Sequence, residues 1–380
     1  MKIAQRFWTA RDGWELIEGD EEQARKAQLV FAFGGRKALE EKTHYEKLQV
    51  FFPNAQILTG STAGEIIDVE VHDDSIVATG IQFEHTQIET AIVPVNDRES
   101  YEVGKTLAGK ISHQDLKHIF ILSDGGKVNG TDLIRGFKEN VPTNVTITGG
   151  LAGDAANFSR TLVGLNAAPD EGNVACVGFY GDRLKIGFGS VGGWDPFGPD
   201  RIITKSDKNV LHELDGKPAL ELYKTYLGEQ AEKLPGSALL FPLSMRKSIE
   251  DKEEVVRTIL TIDEAQQTMT FAGDLPEGNI TRLMKANFDR LVDGAHKAAE
   301  GSVSTIGSFI PELALLISCV GRKLVLGQRI EDEVESVREV IGDEPIITGF
   351  YSYGEIAPSL GTVNCKLHNQ TMTITLMAEE

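Results

Sequence analysis

The stretch Ile346-Ile347-Thr348-Gly349-Phe350-Tyr351-Ser352-Tyr353-Gly354-Glu355-Ile356 decides how this chain is read. An apolar run ends in Thr-Gly, a polar and aromatic bend follows, and a Gly-acid pair closes it. The same grammar occurs as Ile57-Leu58-Thr59-Gly60-Ser61-Thr62-Ala63-Gly64-Glu65-Ile66 and as Thr146-Ile147-Thr148-Gly149-Gly150-Leu151-Ala152-Gly153-Asp154. Internal repetition at this length means one supersecondary unit used several times.

Each bend is preceded by a buried-strand pattern and a helical pattern. Leu29 to Phe33, His118 to Leu122 and Glu312 to Val320 are continuous apolar runs, which predict strands buried on both faces. Lys37 to Phe51, Thr131 to Asn140 and Glu331 to Ile341 predict helices. From the leading strand to the bend glycine the three copies measure 31, 30 and 34 positions (Leu29 to Gly60, Ile119 to Gly149, Leu315 to Gly349). After each bend come two β-rich runs that read as a hairpin: Ser75 to Phe83 with Gln87 to Val95, Val174 to Phe179 with Leu184 to Phe188, and Cys365 to His368 with Met372 to Met377. The fold class expected is α/β: two domains of repeated strand-helix-strand-hairpin units with mixed sheets.

Residues 1–28 read as an N-terminal arm and helix, with Asp20 as N-cap. Residues 29–191 form a first domain. The turn-rich Gly192 to Pro199 opens a second, 192–380. Within the second, Arg201 to Ser206 and Val210 to Leu214 flank a turn, and Ala219 to Leu227 is a helix. Ser237 to Leu243 reads as a strand, Val255 to Ile262 with Gln267 to Phe271 as a hairpin, and Glu277 to Glu300 as largely helical.

Composition narrows the function. The chain of 380 residues exceeds the size of one growing core. Its formal charge of −19 argues against a nucleic-acid partner, which requires clustered Lys and Arg. The longest apolar run, Leu313 to Val320, is too short for membrane insertion, and the first residues lack a signal-peptide core. The three cysteines lie far apart, without disulfide or zinc spacing. A cytoplasmic location is expected.

The bends are the candidate ligand site. Ser61, Thr62 and Tyr353 hydroxyls and exposed N–H groups suit a carboxylate, and Glu65, Asp154 and Glu355 suit an amine. Tyr351 and Tyr353 suit a pocket wall. Arg36 and Arg322 each follow a buried strand and a glycine, where a guanidinium can clamp a ligand carboxylate or pair with an acid such as Glu65 or Glu355. The competing reading is that the glycines make turns and the acids cap them. Tyr351, Tyr353 and Glu355 facing Arg322 make the preferred constellation. The eight histidines lack metal-ligand spacing, although one axial His suffices for haem. No catalytic motif and no metal site emerges; Cys319, inside an apolar run, is read as a small buried hydrophobe.

These segments, together with Leu214-Asp215-Gly216-Lys217-Pro218-Ala219-Leu220-Glu221-Leu222-Tyr223, Ser318-Cys319-Val320-Gly321-Arg322 and His368-Asn369-Gln370-Thr371, resemble the FIST signal-transduction proteins, with an N-type and a C-type domain over almost the whole chain. The resemblance implies a sensory module for small ligands such as amino acids, acting on a separate partner such as a histidine kinase or a cyclic-di-nucleotide enzyme. A haem-bound nitric-oxide sensor is the alternative that it implies. An enzyme of unknown reaction, using Cys319 or a bend acid, is the third reading.

Overall fold

The computed structural model describes residues 1–234, 236–251, 254–359 and 362–380. The chain is mixed α/β, and its strand–helix–strand units repeat three times. The first unit contains β1 (Lys2–Thr9), α1 (Glu21–Lys26), β2 (Leu29–Gly35), α2 (Lys42–Phe51), β3 (Gln56–Thr62), β4 (Glu65–Ile67) and β5 (Ile76–Gln82). The second contains β6 (Gln87–Pro94), α3 (Ser100–Ala108), β7 (Leu116–Ser123), α4 (Gly130–Lys138), β8 (Thr146–Leu151), β9 (Val163–Leu165) and β10 (Asn173–Tyr180).

The third unit opens with β11 (Leu184–Val191) and is then interrupted by an inserted antiparallel sheet. Its strands are β12 (Arg201–Asp207), β13 (Val210–Leu214), β14 (Leu243–Arg246), β15 (Val255–Arg257), β16 (Ile259–Asp263), β17 (Thr268–Phe271) and β18 (Ile280–Lys285), with α5 (Ala219–Leu227) between β13 and β14. The unit resumes with α6 (Phe288–Ile306), β19 (Leu313–Cys319), α7 (Val320–Leu326), α8 (Ile330–Ile341), β20 (Ile346–Ser352), β21 (Gly354–Pro358), β22 (Cys365–His368) and β23 (Met372–Glu379).

Each unit builds one mixed sheet around a parallel pair: β2 with β3, β7 with β8, β19 with β20. An antiparallel strand flanks the first member of each pair (β5, β10 and β23), and the strand that opens the unit lies beyond it (β1, β6 and β11). The second member of each pair is completed by a strand from another unit. β9 of the second unit pairs with β3, β21 of the third with β8, and β4 of the first with β20. The exchange is cyclic, so each unit lends a strand and receives one.

The apolar runs explain why the three sheets close on one another. Along β2, Leu29, Phe31 and Phe33 point inward while Val30 and Ala32 pack on the outer helices. Phe120 and Leu122, and Leu315 and Ile317, join them in one interior, where the Phe31 and Phe120 rings lie 4.9 Å apart and Phe33 and Phe350 4.5 Å apart. Outer faces are covered by α1 and α2, by α3 and α4, and by α6 and α8. Both faces of these strands are therefore buried, as their unbroken apolar sequence predicts. Asp20 caps α1 as expected, accepting the Gln23 N–H at 2.8 Å while Gln23 Oε1 receives the Asp20 N–H.

Several local expectations are corrected. The three post-bend hairpins do not form: β5 and β6, β10 and β11, and β22 and β23 lie in different sheets, and their short connections step between sheets. The Glu84–Thr86 step is held open by the Glu379 carboxylate, which accepts all three backbone N–H groups at 2.6 to 2.8 Å. The N-terminal arm is strand β1 with a partner, Gly13–Glu18, because β5 offers it an antiparallel edge. Residues Gly236–Leu240 are a 3₁₀ turn before β14, and Glu277 to Glu300 divides into β18 and the start of α6. The β12–β13 hairpin is present as predicted; of the predicted Val255 to Ile262 strand, the part from Ile259 forms the β16–β17 hairpin, while Val255–Arg257 is β15 and pairs with β14.

The three bends meet. Ala63 N donates to Tyr351 O at 2.8 Å, Tyr353 N to Leu151 O at 3.1 Å, and Gly153 N to Ser61 O at 2.9 Å, a closed ring of backbone hydrogen bonds joining all three units. Buried carboxyls pin the bends to the next strand. Glu65 accepts Ser75 N and Oγ at 3.0 and 2.7 Å, and Glu355 accepts Thr371 N and Oγ1 at 3.2 and 3.0 Å. In the second unit Asp124, not Asp154, takes this part, accepting Gly172 N at 2.9 Å.

Two expectations follow from this packing. Gly149 has φ +146, and a Cβ there would fall against the Ile121 backbone. Gly149→Ala is expected to lower stability by roughly 2 kcal/mol or more, read as a lower urea midpoint at unchanged slope. Burial raises the Glu65 carboxyl to about 7 and the Glu355 carboxyl to about 8, against an ordinary 4.5. The folded state therefore holds these protons longer than the unfolded chain. The stability they contribute is complete below about pH 4.5 and is lost as pH rises through about 7 to 8. The thermal midpoint of the wild type, relative to that of the E65Q/E355Q variant, is expected to fall by a few degrees between about pH 5 and about pH 9; parallel profiles would contradict it.

Candidate functional site

A cleft of about 580 Å³ lies beyond the carboxyl ends of β7, β8 and β19, the edge at which α/β sheets present ligands. One wall is the rim of the three-sheet body: the Gly125–Asn129 loop after β7, Leu151 at the end of β8, Cys319 at the end of β19, and Tyr353 of the third bend. The other is the inserted sheet, through Thr258 to Thr261 and Phe271 to Gly273. The size and mainly apolar lining, with a few hydroxyls and amides, match a small-molecule site.

The loop after β7 is shaped by Asp124, whose Oδ1 accepts Gly126 N and Lys127 N at 2.8 and 2.7 Å. Gly125 must lack a side chain, because a Cβ would meet the Ala152 carbonyl, whereas at Gly126 the nearest atom would be 3.7 Å away. Lys127 reaches Glu171 at 3.0 Å and stays half exposed at the rim. Thr258 Oγ1, buried in the opposite wall, makes no hydrogen bond among the described residues. Behind Cys319, the fully buried Asn369 and Gln370 also leave their amide groups unpaired among those residues. Burial pushes the Cys319 thiol far above its usual value, so this lining residue holds a protonated thiol.

Of the nine residues singled out from sequence, Tyr353 is the one that lines this cleft. Its hydroxyl donates to Asp154 and accepts the Asp154 and Phe158 N–H groups at 3.1 and 3.0 Å, and its ring stacks on Phe158 at 4.7 Å. Asp154 otherwise accepts Ser159 N and Arg160 N, folding the 154–160 loop onto the rim. Arg36 pairs with Glu40 at 2.8 Å and stands 3.7 Å from Asp154. Ser61 Oγ accepts Leu162 N, and Thr62 donates to Glu65.

Arg322 and Tyr351 belong to a separate buried cluster. Arg322 donates to Glu333 at 2.9 and 2.7 Å and to the Leu291 and Gly192 carbonyls, and Tyr351 Oη donates to Glu333 at 2.6 Å. The expected meeting of Tyr351, Tyr353 and Glu355 with Arg322 across a pocket does not occur: Arg322 faces Glu333, and Glu355 faces Thr371. The sequence reading missed the inserted sheet as a wall. The opposite wall does carry a legible signal, Asp124-Gly125-Gly126-Lys127, a glycine corner directly after a buried strand.

The residues around the cleft do not fit a histidine-ligated haem, since no histidine is among its described lining residues. His118 is buried in its sheet with its two ring nitrogens on Thr146 and Thr148. No group of His, Cys, Asp and Glu among the described residues is arranged to hold a metal ion, and no helix among them is long and apolar enough to cross a membrane.

Comparison with known proteins agrees with the repeated bends. Residues 28–217 match the FIST N domain and residues 219–358 the FIST C domain. The chain is 22% identical to an uncharacterized protein, MJ1623, of Methanocaldococcus jannaschii, over 91% of this chain and 73% of that protein. A cyanuric acid hydrolase from A. caulinodans aligns over 93% of this chain and 90% of its own, with a TM-score of 0.35 and 6% identity. With both domains matched in order along the chain, the protein belongs to the FIST family, whose domains are associated with signal transduction and small-ligand sensing.

Proposed function

We propose that the protein is a cytoplasmic sensor that binds an amino-acid-like ligand in the cleft between the three-sheet body and the inserted sheet, and that it regulates a separate signalling partner. The observation that carries this reading is the position of the cleft. One wall belongs to a body closed by cyclic strand exchange and the other to an insertion in a single unit. A ligand touching both walls binds best to one relative arrangement of them and shifts the population toward it, which is the physical content of sensing.

Ligand class follows from the lining. Lys127 at the rim suits a carboxylate, with Glu171 beside it for an amine, while Phe158, Ile259 and Leu260 offer an apolar surface to a side chain. The hydroxyls of Ser159, Thr161 and Thr258 supply orientation. Cys319, which lines the cleft, is held by burial as a thiol, and this disfavours thiolate chemistry there. A histidine kinase or a cyclic-di-nucleotide enzyme is the class of partner proposed.

The test is thermal denaturation of dialysed protein against the individual amino acids and small carboxylic acids. At least one is expected to raise the midpoint, with stabilisation of about 2.7 kcal/mol at a hundredfold excess over Kd. Gly126→Phe projects a ring into the open space at that position and is expected to abolish the shift while leaving the unliganded midpoint in place. If none of these compounds stabilises the wild type, the ligand class is wrong. If a stabilising compound acts equally on Gly126→Phe, its site is elsewhere.

A further inference from the structure

A second cleft, of about 620 Å³, opens on the far side of the same junction, between α4, β22 and the inserted sheet. Its lining carries Arg135 and Lys138 from α4, Arg246 and Lys247 from the end of β14, Arg257 from β15 and Lys366 from β22, against the acids Glu139, Asp251 and Asp274. In a chain with a formal charge of −19, a cavity whose described lining has twice as many bases as acids runs against the overall composition. Both signs have outside partners: Glu139 accepts the Tyr101 hydroxyl at 2.7 Å and Asp274 the Asn129 amide at 2.8 Å, while Arg135 pairs with Asp132 at 2.9 Å, Arg246 with Asp200 at 2.7 Å, and Lys138 donates to Asn364.

Arg257 forms the floor. It is 4% exposed, yet no carboxylate lies within ion-pair distance of it among the described residues. Its Nε donates to Asp274 O at 3.3 Å, and its Nη1 donates to Leu367 O at 3.1 Å and to Val256 O at 3.4 Å. Nη2 makes no hydrogen bond within the described protein, and the residue lines the cavity. Burial lowers its guanidinium to about 10, which still leaves the group charged at neutral pH. A buried cation bonded to carbonyls alone is costly unless an anion completes it. The neighbouring Thr131 hydroxyl, at the first turn of α4, is likewise buried and unpaired among the described residues.

We propose that this cleft is a binding site for a small phosphorylated ligand, its phosphoryl oxygens taken by Arg257 on the floor and by Arg135, Lys138 and Lys247 at the rim. A multiply charged tetrahedral anion suits the arrangement because the cations approach from three separate elements, whereas one carboxylate is satisfied by a single fork. The site is distinct from the apolar cleft. Arg257 and Asp274 face this one, while the adjacent Thr258 and Gly273 face the other.

The test is isothermal titration of the full chain with pyrophosphate, with citrate as the carboxylate comparison, at matched ionic strength. Saturable binding of pyrophosphate is expected, weakened roughly ten-fold or more in R135E/K247E, whose two exposed rim positions leave the core intact. Arg257→Met is expected to lose binding as well, and its far-ultraviolet circular dichroism and thermal midpoint report whether the fold persists. Absence of saturable pyrophosphate binding, binding unchanged in R135E/K247E, or preference for citrate would each overturn the proposal.

Discussion

The fold depends on one constraint: each parallel strand pair exposes an edge that its own unit cannot cover. An open edge is a template for unwanted pairing, and here each is closed by a strand from another unit, β9 on β3, β21 on β8 and β4 on β20. Three such loans closed into a cycle force the three bends to a common point, where the backbone ring from Ala63 to Tyr351, from Tyr353 to Leu151 and from Gly153 to Ser61 forms. Glycine is required there because side chains of one unit occupy the space beside the backbone of another. A Cβ on Gly60 would meet Leu122, and one on Gly150 would meet Ile317 and Phe350.

The buried acids follow from the same convergence. A bend that leaves one sheet to complete another strands backbone N–H groups away from water, and a carboxylate beside it can satisfy two donors at once. Glu65 and Glu355 do so for Ser75 and Thr371, the residues immediately before β5 and β23. The cost is desolvation, which pushes both carboxyls toward their neutral forms. Arg322 and Glu333 illustrate the other solution, a buried ion pair at 2.7 Å with its remaining hydrogen bonds filled: Ser318 and Tyr351 donate to the carboxylate, and the Gly192 and Leu291 carbonyls accept from the guanidinium. Since Gly192 directly follows β11, this pair fastens the chain at the point where it leaves the third unit for the insertion.

The strands and helices of the units were legible because burial on both faces writes an unbroken apolar run, and Asp20 and Gln23 write a capping box. The pairing of the strands was not. A three-residue connection such as Glu84-His85-Thr86 looks the same whether its flanking strands pair or part, and the decision is made elsewhere, by the antiparallel edges that β1 and β10 offer to β5 and β6. The bends were legible as repeats, but repetition in this chain records architecture. Glu65, Glu355, Arg322 and Tyr351 stood out because symmetry and burial demand them, and the same burial consumes their polar atoms. The cleft combines the second and third copies of the repeat with a non-repeating insertion, so no periodic signal marks it; Tyr353 was legible because an aromatic side chain beside a glycine turn suits a pocket wall.

That asymmetry locates where the molecule can respond. The three-sheet body has few degrees of freedom, since moving any bend breaks hydrogen bonds to both neighbouring units. Among the described residues the inserted sheet meets it through polar links that include Arg257 to Leu367 O, Asn129 to Asp274, Trp194 to Gln370 O at 2.9 Å and Lys208 to Glu99 at 3.6 Å, and through an apolar cluster in which Met284, Leu240 and Val256 pack with Leu291, Val325 and Leu326. Asn129 both lines the apolar cleft and caps α4, and Arg257 lies one residue from its far wall. A molecule entering between body and insertion therefore acts on the links with the fewest alternatives. On the proposed sensor reading, movement of the insertion relative to the closed body is the response such a molecule would bias.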